Sequence, residues 1–213
     1  MADLRVSEIF FSLQGEASRS GLPTIFIRLT GCPLRCVWCD SEYAFSGGER
    51  MSIDAILQQI ARHPTRQVCV TGGEPLAQKD CRELLRRLCD AGYEVSLETS
   101  GALDIGEIDP RVSRIMDLKA PDSGECERNR WENLALLGPR DEIKFVIASR
   151  RDYDWAREQI LQHRLAERCA LLISPAQALV DATELAEWIL ADGLPVRFQL
   201  QLHKQLWGNM RGK

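Results

Sequence analysis

Residues 24–42 read Thr-Ile-Phe-Ile-Arg-Leu-Thr-Gly-Cys-Pro-Leu-Arg-Cys-Val-Trp-Cys-Asp-Ser-Glu. The first part, Thr24 to Thr30, alternates aliphatic with other side chains and predicts a buried strand. A loop follows at once, with three cysteines in the spacing Cys32-x3-Cys36-x2-Cys39. Sites of α/β proteins lie where parallel strands end, so we expect this loop to carry the chemistry.

The spacing of the three cysteines favours an iron–sulfur cluster. Thiolates bind soft metals and hold such clusters. A structural zinc site needs a fourth ligand nearby, but His63 and Cys69, the next candidates, lie well outside the loop. Three ligands therefore indicate a cluster with one iron left open. Zinc, or three small buried residues that bind nothing, are the other interpretations.

Outward from this loop, β-prone and helical segments alternate along the chain. Predicted strands cover about 8–14, 24–30, 67–71, 94–98, 113–118, 141–148, 169–174 and 196–202. Predicted helices begin at the N-caps Ser52 and Asp181, end at Gly92, and span about 152–165. This order predicts an α/β fold with a mostly parallel sheet. Six or so β/α units are too few for an eight-stranded barrel, so we expect one domain, residues 1–213, forming an incomplete (β/α)6-type barrel.

Several polar residues fall where these strands end. Cys32, Gly72-Gly73, Glu98 to Ser100, Lys119, Ser174 and His203 all share this location, which predicts one common site. Other interpretations remain for single members. Arg28 either reaches solvent from its strand or faces an anionic ligand. His203, Lys119 and Lys144 are either ordinary surface residues or part of the site.

Composition limits the function classes. The formal net charge is −4, which argues against nucleic-acid binding by charge alone. No apolar run has the length of a membrane span, and the first residues lack the apolar core of a signal peptide. The five cysteines outside the loop show no disulfide pattern, so we expect a reducing, cytoplasmic compartment.

The cysteine loop resembles that of the radical S-adenosylmethionine (SAM) superfamily, as does Thr71-Gly-Gly-Glu-Pro75, which follows on the next predicted strand. The resemblance implies a [4Fe–4S] cluster on Cys32, Cys36 and Cys39, with SAM chelating the open iron. It also implies reductive cleavage of SAM to a 5′-deoxyadenosyl radical, which abstracts a hydrogen atom. The cofactors would carry that step while the protein orients the substrate.

Four segments are similar to one family within it, the 7-carboxy-7-deazaguanine synthases. They are residues 10–16, 26–32, 39–41 and 201–204. This implies a lyase that converts 6-carboxy-5,6,7,8-tetrahydropterin to 7-carboxy-7-deazaguanine with loss of ammonia, in queuosine biosynthesis. It further implies Mg²⁺, regeneration of SAM, a homodimer, and a flavodoxin or ferredoxin as reductant.

The resemblance also implies roles for individual residues. Substrate contacts would be Leu13, Gln14, Gly15, Glu16, Arg28, Thr71 and His203. SAM contacts would be Trp38, Cys39, Asp40, Gly73, Glu74, Glu98, Ser100, Asp117, Leu118, Lys119, Ser174, Pro175, Ala176 and Gln177. Ser41 would bind Mg²⁺, where relatives carry Thr; its hydroxyl suits a hard cation.

Two other functions are weighed against this one. A radical SAM activase that acts on a protein partner shares the short chain and the cysteine spacing. Leu13 to Glu16, Arg28 and His203 favour a small anionic substrate instead. A non-enzymatic zinc- or cluster-binding scaffold predicts bound metal without SAM cleavage, and it leaves residues 71–75 unexplained.

Overall fold

The computed structural model describes residues 2–213, and these contain a nine-stranded sheet. The strands are β1 (Asp3–Leu13), β2 (Pro23–Leu29), β3 (Glu49–Ser52), β4 (Gln67–Gly72), β5 (Glu94–Thr99), β6 (Ser113–Asp117), β7 (Glu142–Ile147), β8 (Ala170–Pro175) and β9 (Arg197–Phe198). Their order is β3-β1-β2-β4-β5-β6-β7-β8-β9. β1 is antiparallel to β2 and β3, and all other neighbours are parallel. The predicted incomplete, mostly parallel barrel is confirmed.

Helices cover one face of the sheet. They are α1 (Ile53–Ile60), α2 (Cys81–Asp90), α3 (Arg150–Gln162), α4 (Ala182–Asp192) and α5 (Leu202–Trp207). The main core includes side chains of α1 to α4 and of the strands beneath them. Each fully buried aliphatic side chain there contributes about 1.5–3 kcal/mol. No helix within residues 2–213 combines the length and apolar character needed to cross a bilayer.

β2 shows how the sequence separates core from cavity. Ile25, Ile27 and Leu29 are fully buried in the main core. Phe26 and Arg28 point to the opposite, concave face, because successive side chains of a strand alternate. The alternation predicted for this strand therefore places Arg28 inside the open barrel.

The predicted helix ends are also confirmed. The Ser52 hydroxyl accepts a hydrogen bond from the Ala55 amide at 3.2 Å. The Asp181 carboxylate accepts from the amides of Thr183 and Glu184 at 2.9 and 3.0 Å. Such caps satisfy amide groups that have no partner within the helix.

The structure corrects the prediction in three places. β3, an antiparallel edge strand, was not predicted. The connections β5–β6 and β6–β7 contain turns and short 3-10 segments rather than α-helices. The strand predicted over 196–202 is only Arg197–Phe198, and His203 lies in α5. The Leu202 amide donates to the carbonyl oxygen of Gly15 at 2.9 Å, so a tertiary contact diverts the chain from the sheet.

The segment after β1, residues 14–22, packs inside the barrel. Ala17 is buried in a small cluster with Ile115 of β6 and Leu172 of β8. The side-chain amide of Gln199 brackets Ala17, accepting from its N–H and donating to its carbonyl, both at 2.9 Å. The Ser18 amide donates to Glu142, at the start of β7, at 3.0 Å. Ala17 and Ser18 thus close the barrel toward the start of β7, while residues 14–16 face the open carboxyl ends of the strands.

Candidate active site

A cavity of about 590 Å³ lies at the carboxyl ends of the parallel strands. It collects nearly all the residues predicted from the sequence. Those lining it are Leu13, Gln14, Gly15, Glu16, Arg28, Cys32, Cys36, Trp38, Cys39, Asp40, Ser41, Thr71, Gly73, Glu98, Ser100, Asp117, Lys119, Ser174, Pro175, Ala176, Gln177 and His203. The side chains of Glu74 and Leu118 do not line it, and both are buried within the protein. That Glu74 and Leu118 contact SAM therefore stays a prediction.

The three cysteines of the loop share one wall of the cavity and are all free thiols. Burial raises the pKa of Cys32 and Cys36, while the ammonium of Lys119 acts in the opposite direction on both. No three His, Cys, Asp or Glu side chains in the described part of the chain converge on a point where one ion could bind. A cluster, whose thiolates bind separate iron atoms, fits three half-buried thiols around one space.

Gly72 and Gly73 hold the cysteine loop against the end of β4. A Cβ on Gly73 would overlap the carbonyl oxygen of Gly31 and lie 2.7 Å from the Cβ of Cys32. The Glu74 amide donates to that same Gly31 carbonyl at 2.7 Å. These glycines are therefore required first by the close approach of the loop backbone. Gly73 still reaches the cavity wall beside Cys32.

Glu74 ties the ends of β4 and β5 together. Its carboxylate accepts hydrogen bonds from the Leu76 amide at 3.0 Å and the Thr99 hydroxyl at 3.0 Å. It also accepts from the amide and hydroxyl of Ser100 at 2.7 and 2.6 Å. A buried carboxylate needs such donors in place of water. The predicted pair Glu74 and Ser100 is thus joined, with only Ser100 at the cavity.

Two buried polar atoms on the predicted cofactor side have no partner among residues 2–213. They are Oδ1 of Asp117 and Oγ of Ser174. Asp117 ends β6, Ser174 lies near the end of β8, and both residues line the cavity. Unpaired buried polar atoms are costly, so they indicate a polar ligand at this place. The other oxygen of Asp117 lies 2.9 Å from the ammonium of Lys119.

Arg28 is held in place by Glu8 of the neighbouring strand. Its Nε donates to Glu8 Oε1 at 2.7 Å, and the Tyr43 hydroxyl donates to the same oxygen at 2.8 Å. Its guanidinium carbon lies 5.8 Å from the ring centres of both Phe10 and Tyr43. Burial by itself lowers the pKa of Arg28, but Tyr43 and Glu8 offset this and the pKa is raised. A cation that is fixed in place and lines a cavity suits a carboxylate ligand.

Glu98 organises the middle of the cavity. Its two oxygens accept from the Gln14 side-chain amide at 3.3 Å and from the Thr71 hydroxyl at 2.9 Å. The side-chain oxygen Oε1 of Gln14 in turn accepts from the Gly15 amide at 2.8 Å. Glu98 thereby connects the ends of β1, β4 and β5, so the predicted substrate contacts Gln14 and Thr71 are oriented by a predicted cofactor contact.

His203 packs directly on Gly15. A Cβ on Gly15 would overlap the imidazole Nδ1 and lie 2.9 Å from its Cγ. Burial lowers the pKa of His203, although Glu16 opposes this. The next residue, Lys204, forms an ion pair with Asp40 at 2.9 Å. α5 therefore joins the first-strand loop to the cysteine loop, and His203 reaches the cavity from a helix rather than from a strand.

Sequence reasoning left open whether Lys144 belongs to the site, and it assigned no role to Tyr43, Gln201, Lys204 or residues 208–213. All of them line the cavity. Of the five lysines in the chain, only Lys79 lies elsewhere. Lys144 had a signal, because it stands between the buried Ile143 and Phe145 and so must face the concave side. Lys204 and the tail had none, since they reach the cavity only through α5.

Comparison with known proteins gives a consistent result. The family profile described as the radical SAM superfamily matches residues 26–160. The 7-carboxy-7-deazaguanine synthase of Koribacter versatilis is 47% identical over 221 residues, which cover 96% of this chain and 97% of that one. The enzyme of the same name from Chlorobaculum tepidum is 46% identical, over 97% and 95% of the two chains.

Solved structures resemble the fold as well. The crystal structure of QueE from Escherichia coli superposes with a TM-score of 0.80 at 25% identity, and the match covers 95% of this chain and 96% of that one. SuiB from Streptococcus suis, bound to a precursor peptide, gives a TM-score of 0.58 at 14% identity over 79% of this chain and 46% of that one. The second likeness extends to the fold alone.

Proposed function

The chain belongs to the radical SAM superfamily and, within it, to the 7-carboxy-7-deazaguanine synthases, and on that premise we propose how its cavity serves the reaction. The enzyme is a carbon–nitrogen lyase of queuosine biosynthesis. It converts 6-carboxy-5,6,7,8-tetrahydropterin to 7-carboxy-7-deazaguanine and releases ammonia. One observation carries the assignment to this cavity. The three free thiols, the buried Arg28 and the polar ends of β4 to β8 all line the same space.

Cys32, Cys36 and Cys39 would hold the [4Fe–4S] cluster, and SAM would occupy the side of Asp117 and Ser174. When bound, these groups supply a hydrogen-abstracting radical by one-electron cleavage of SAM. The free oxygen of Asp117 would accept a hydrogen bond from SAM, and the hydroxyl of Ser174 could accept one or donate one. The ammonium of Lys119, close to Asp117, would orient that carboxylate and add positive charge near the thiolates.

Arg28 would bind the carboxylate of the pterin, since it is the cation that faces the cavity from β2. Glu8 and Tyr43 hold its guanidinium in one orientation, which lowers the entropy lost on binding. Gln14, Glu16, Thr71 and His203 would contact the ring around it. The enclosed walls also exclude water from the reacting atoms.

Ser41 would bind Mg²⁺ together with substrate oxygens and water. Its hydroxyl faces the cavity, and its Oγ lies 3.9 Å from Cys39 Sγ. One hydroxyl alone is a weak ligand set, so we expect the ion to bind with the substrate rather than before it. We further propose that the protein is a homodimer and that a flavodoxin or ferredoxin reduces it. We place it in the cytoplasm, a reducing compartment in which its eight free cysteines would stay reduced.

The decisive experiment is an anaerobic assay of the reconstituted protein. It contains iron, sulfide, dithionite, SAM, Mg²⁺ and 6-carboxytetrahydropterin, and products are followed by mass spectrometry. We expect 7-carboxy-7-deazaguanine with little net loss of SAM. Formation of 5′-deoxyadenosine without any change in the pterin would instead indicate a radical SAM enzyme with another substrate, such as the protein partner of an activase.

A further inference from the structure

Four charged side chains form an ion-pair chain across the floor of the cavity: Glu16, Lys144, Asp117 and Lys119. The Lys144 ammonium lies 2.6 Å from Glu16 Oε2 and 3.8 Å from Asp117 Oδ2. Lys119 lies 2.9 Å from the same Asp117 oxygen. Each of the four side chains is at most 16% exposed. Charges of alternating sign thus run from one side of the cavity to the other.

The residues of this ion-pair series come from different parts of the fold. Asp117 and Lys144 are neighbours in the register of β6 and β7. Glu16 belongs to the segment that fills the barrel, and its other oxygen accepts from the side-chain amide of Gln201 at 2.5 Å. Among residues 2–213, Lys144 is the cation that contacts both carboxylates. It therefore joins the predicted substrate side to the predicted cofactor side.

Electrostatics keep this lysine charged despite its burial. Burial alone would lower the pKa of Lys144, but Glu16, Asp117 and Glu98 more than offset it, and the pKa is well above its usual value. Burial also raises the pKa of Glu16, yet Lys144 and Gln201 bring it below the usual value. A lysine that holds its proton so firmly is suited to position carboxylates rather than to transfer a proton. Removing it would leave Glu16 without its ion-pair partner and would leave Asp117 with Lys119 alone.

We propose that Lys144 is a positioning residue that holds Glu16 for the pterin and Asp117 for SAM at once, so that both ligands depend on one ammonium group. The inference rests on the proposed function, because it takes Glu16 as a substrate contact and Asp117 as a cofactor contact. Its distinctive consequence is that loss of Lys144 weakens the binding of both ligands. Loss of a purely local contact would weaken only one of the two ligands.

The test measures binding without turnover. With the cluster oxidised, no electron is available to cleave SAM, so dissociation constants of SAM and of 6-carboxytetrahydropterin can be measured by anaerobic calorimetry. For Lys144→Met we expect both constants to rise by about tenfold, the scale of one hydrogen bond to a charged group. Lys144→Arg should recover at least part of both losses, since its guanidinium can still contact both carboxylates. Lys79→Met, at an exposed site away from the cavity, should match the wild type.

Two further variants distinguish the proposed positioning role of Lys144 from a merely structural one. Glu16→Gln should weaken only the pterin, and Asp117→Asn only SAM. If Lys144→Met fails to fold, the double variant Glu16→Gln/Lys144→Met is measured in its place, because it removes both charges of the closer pair. The double variant must still weaken SAM binding, which Glu16→Gln alone does not. The inference is overturned if the Lys144 variant weakens one ligand or neither while the wild type binds both. Failure of the wild type to bind the pterin would overturn the proposed function itself.

Discussion

Arg28 shows how much a single residue depends on its neighbours. It is a buried charge in a strand of apolar side chains, and Glu8 together with Tyr43 stabilises it there. The same contacts leave the guanidinium aligned with the cavity. A cation that is already desolvated and oriented binds an anion more strongly than a mobile surface arginine does.

We expect Arg28→Ala to raise KM for the carboxylated pterin by about tenfold to a hundredfold, the range for a lost hydrogen bond between charged groups. The dissociation constant of SAM should stay near the wild-type value. Steady-state kinetics and anaerobic titration measure the two quantities, and Arg62→Ala at an exposed position is the control. Unchanged kinetics would remove Arg28 from the carboxylate site.

Ser41 tests the proposed Mg²⁺ site. Because Ser41→Ala removes the only ligand that the chain is proposed to supply, we expect the Mg²⁺ concentration for half-maximal activity to rise severalfold. Ser46→Ala, an exposed serine nearby, should leave it unchanged. An Mg²⁺ response identical in Ser41→Ala and the wild type would exclude Ser41 as a ligand.

Glu74 has a structural role that can be measured as stability. In Glu74→Gln the amide NH₂ would face donors that now bond a carboxylate oxygen, and the charge-assisted bonds would be lost. We expect the free energy of unfolding to fall by about 2–3 kcal/mol. Urea denaturation of the anaerobic protein measures it, with the exposed Glu187→Gln as control. A loss below that of the control would contradict the role of Glu74 as the link between β4 and β5.

At the scale of elements, the short helix α5 completes the site. It begins where the Leu202 amide bonds the Gly15 carbonyl, and it carries His203 and Lys204 to the cavity. Its six residues are too few to be stable alone. Its position therefore depends on contacts with residues 14–17 and with Asp40.

Gly15→Ala should displace α5, because the added methyl group would occupy the place of the His203 imidazole. We expect weaker pterin binding and faster amide hydrogen exchange in residues 202–207, with the core strands unaffected. Gly138→Ala, where the nearest atom would lie 4.0 Å from the added Cβ and φ is not positive, is the control for the loss of a glycine. His203→Ala combined with Gly15→Ala should restore slow exchange, since the collision is then removed. Normal exchange in Gly15→Ala would contradict the close packing.

At the scale of the whole molecule, the cavity draws together carboxylates, lysines and one histidine from both ends of the chain. Their pKa shifts connect its stability to pH. For His203 the folded-state pKa lies below the usual 6.5, chiefly because of burial. The unfolded chain therefore binds the proton more readily, and folding is destabilised as the pH falls through 6.5 toward the folded-state pKa.

We expect the thermal midpoint of the reconstituted protein to drop between pH 7.5 and pH 5.5, and to drop less in His203→Asn. The lowered pKa of Glu16 acts only below about its usual 4.5, and the raised pKa of Lys144 only above its usual 10.5, so neither contributes in this interval. Calorimetric scans at several pH values compare the two proteins. An equal drop in both would show that His203 does not titrate as its burial requires.

The sequence determined most of the strands and helices and the type of chemistry. The alternation of Ile25, Ile27 and Leu29, the caps Ser52 and Asp181, and the spacing of Cys32, Cys36 and Cys39 are local patterns. Each depends on residues a few positions apart, so the chain itself records them. The same patterns predicted the edge of the sheet at which the cavity lies, because parallel strands end together.

Tertiary structure decided which of these residues face the cavity and what holds them. The Glu74 side chain is buried rather than facing the cavity, because Thr99 and Ser100, at the end of another strand, supply its hydrogen-bond donors. Residues 202–207 form a helix where a strand was predicted to end, and its first amide, that of Leu202, is bonded to the carbonyl oxygen of Gly15. Lys144 joined Glu16 across 128 positions of the chain. Such contacts depend on where distant segments meet, and packing of the whole chain, rather than local propensity, fixes that position.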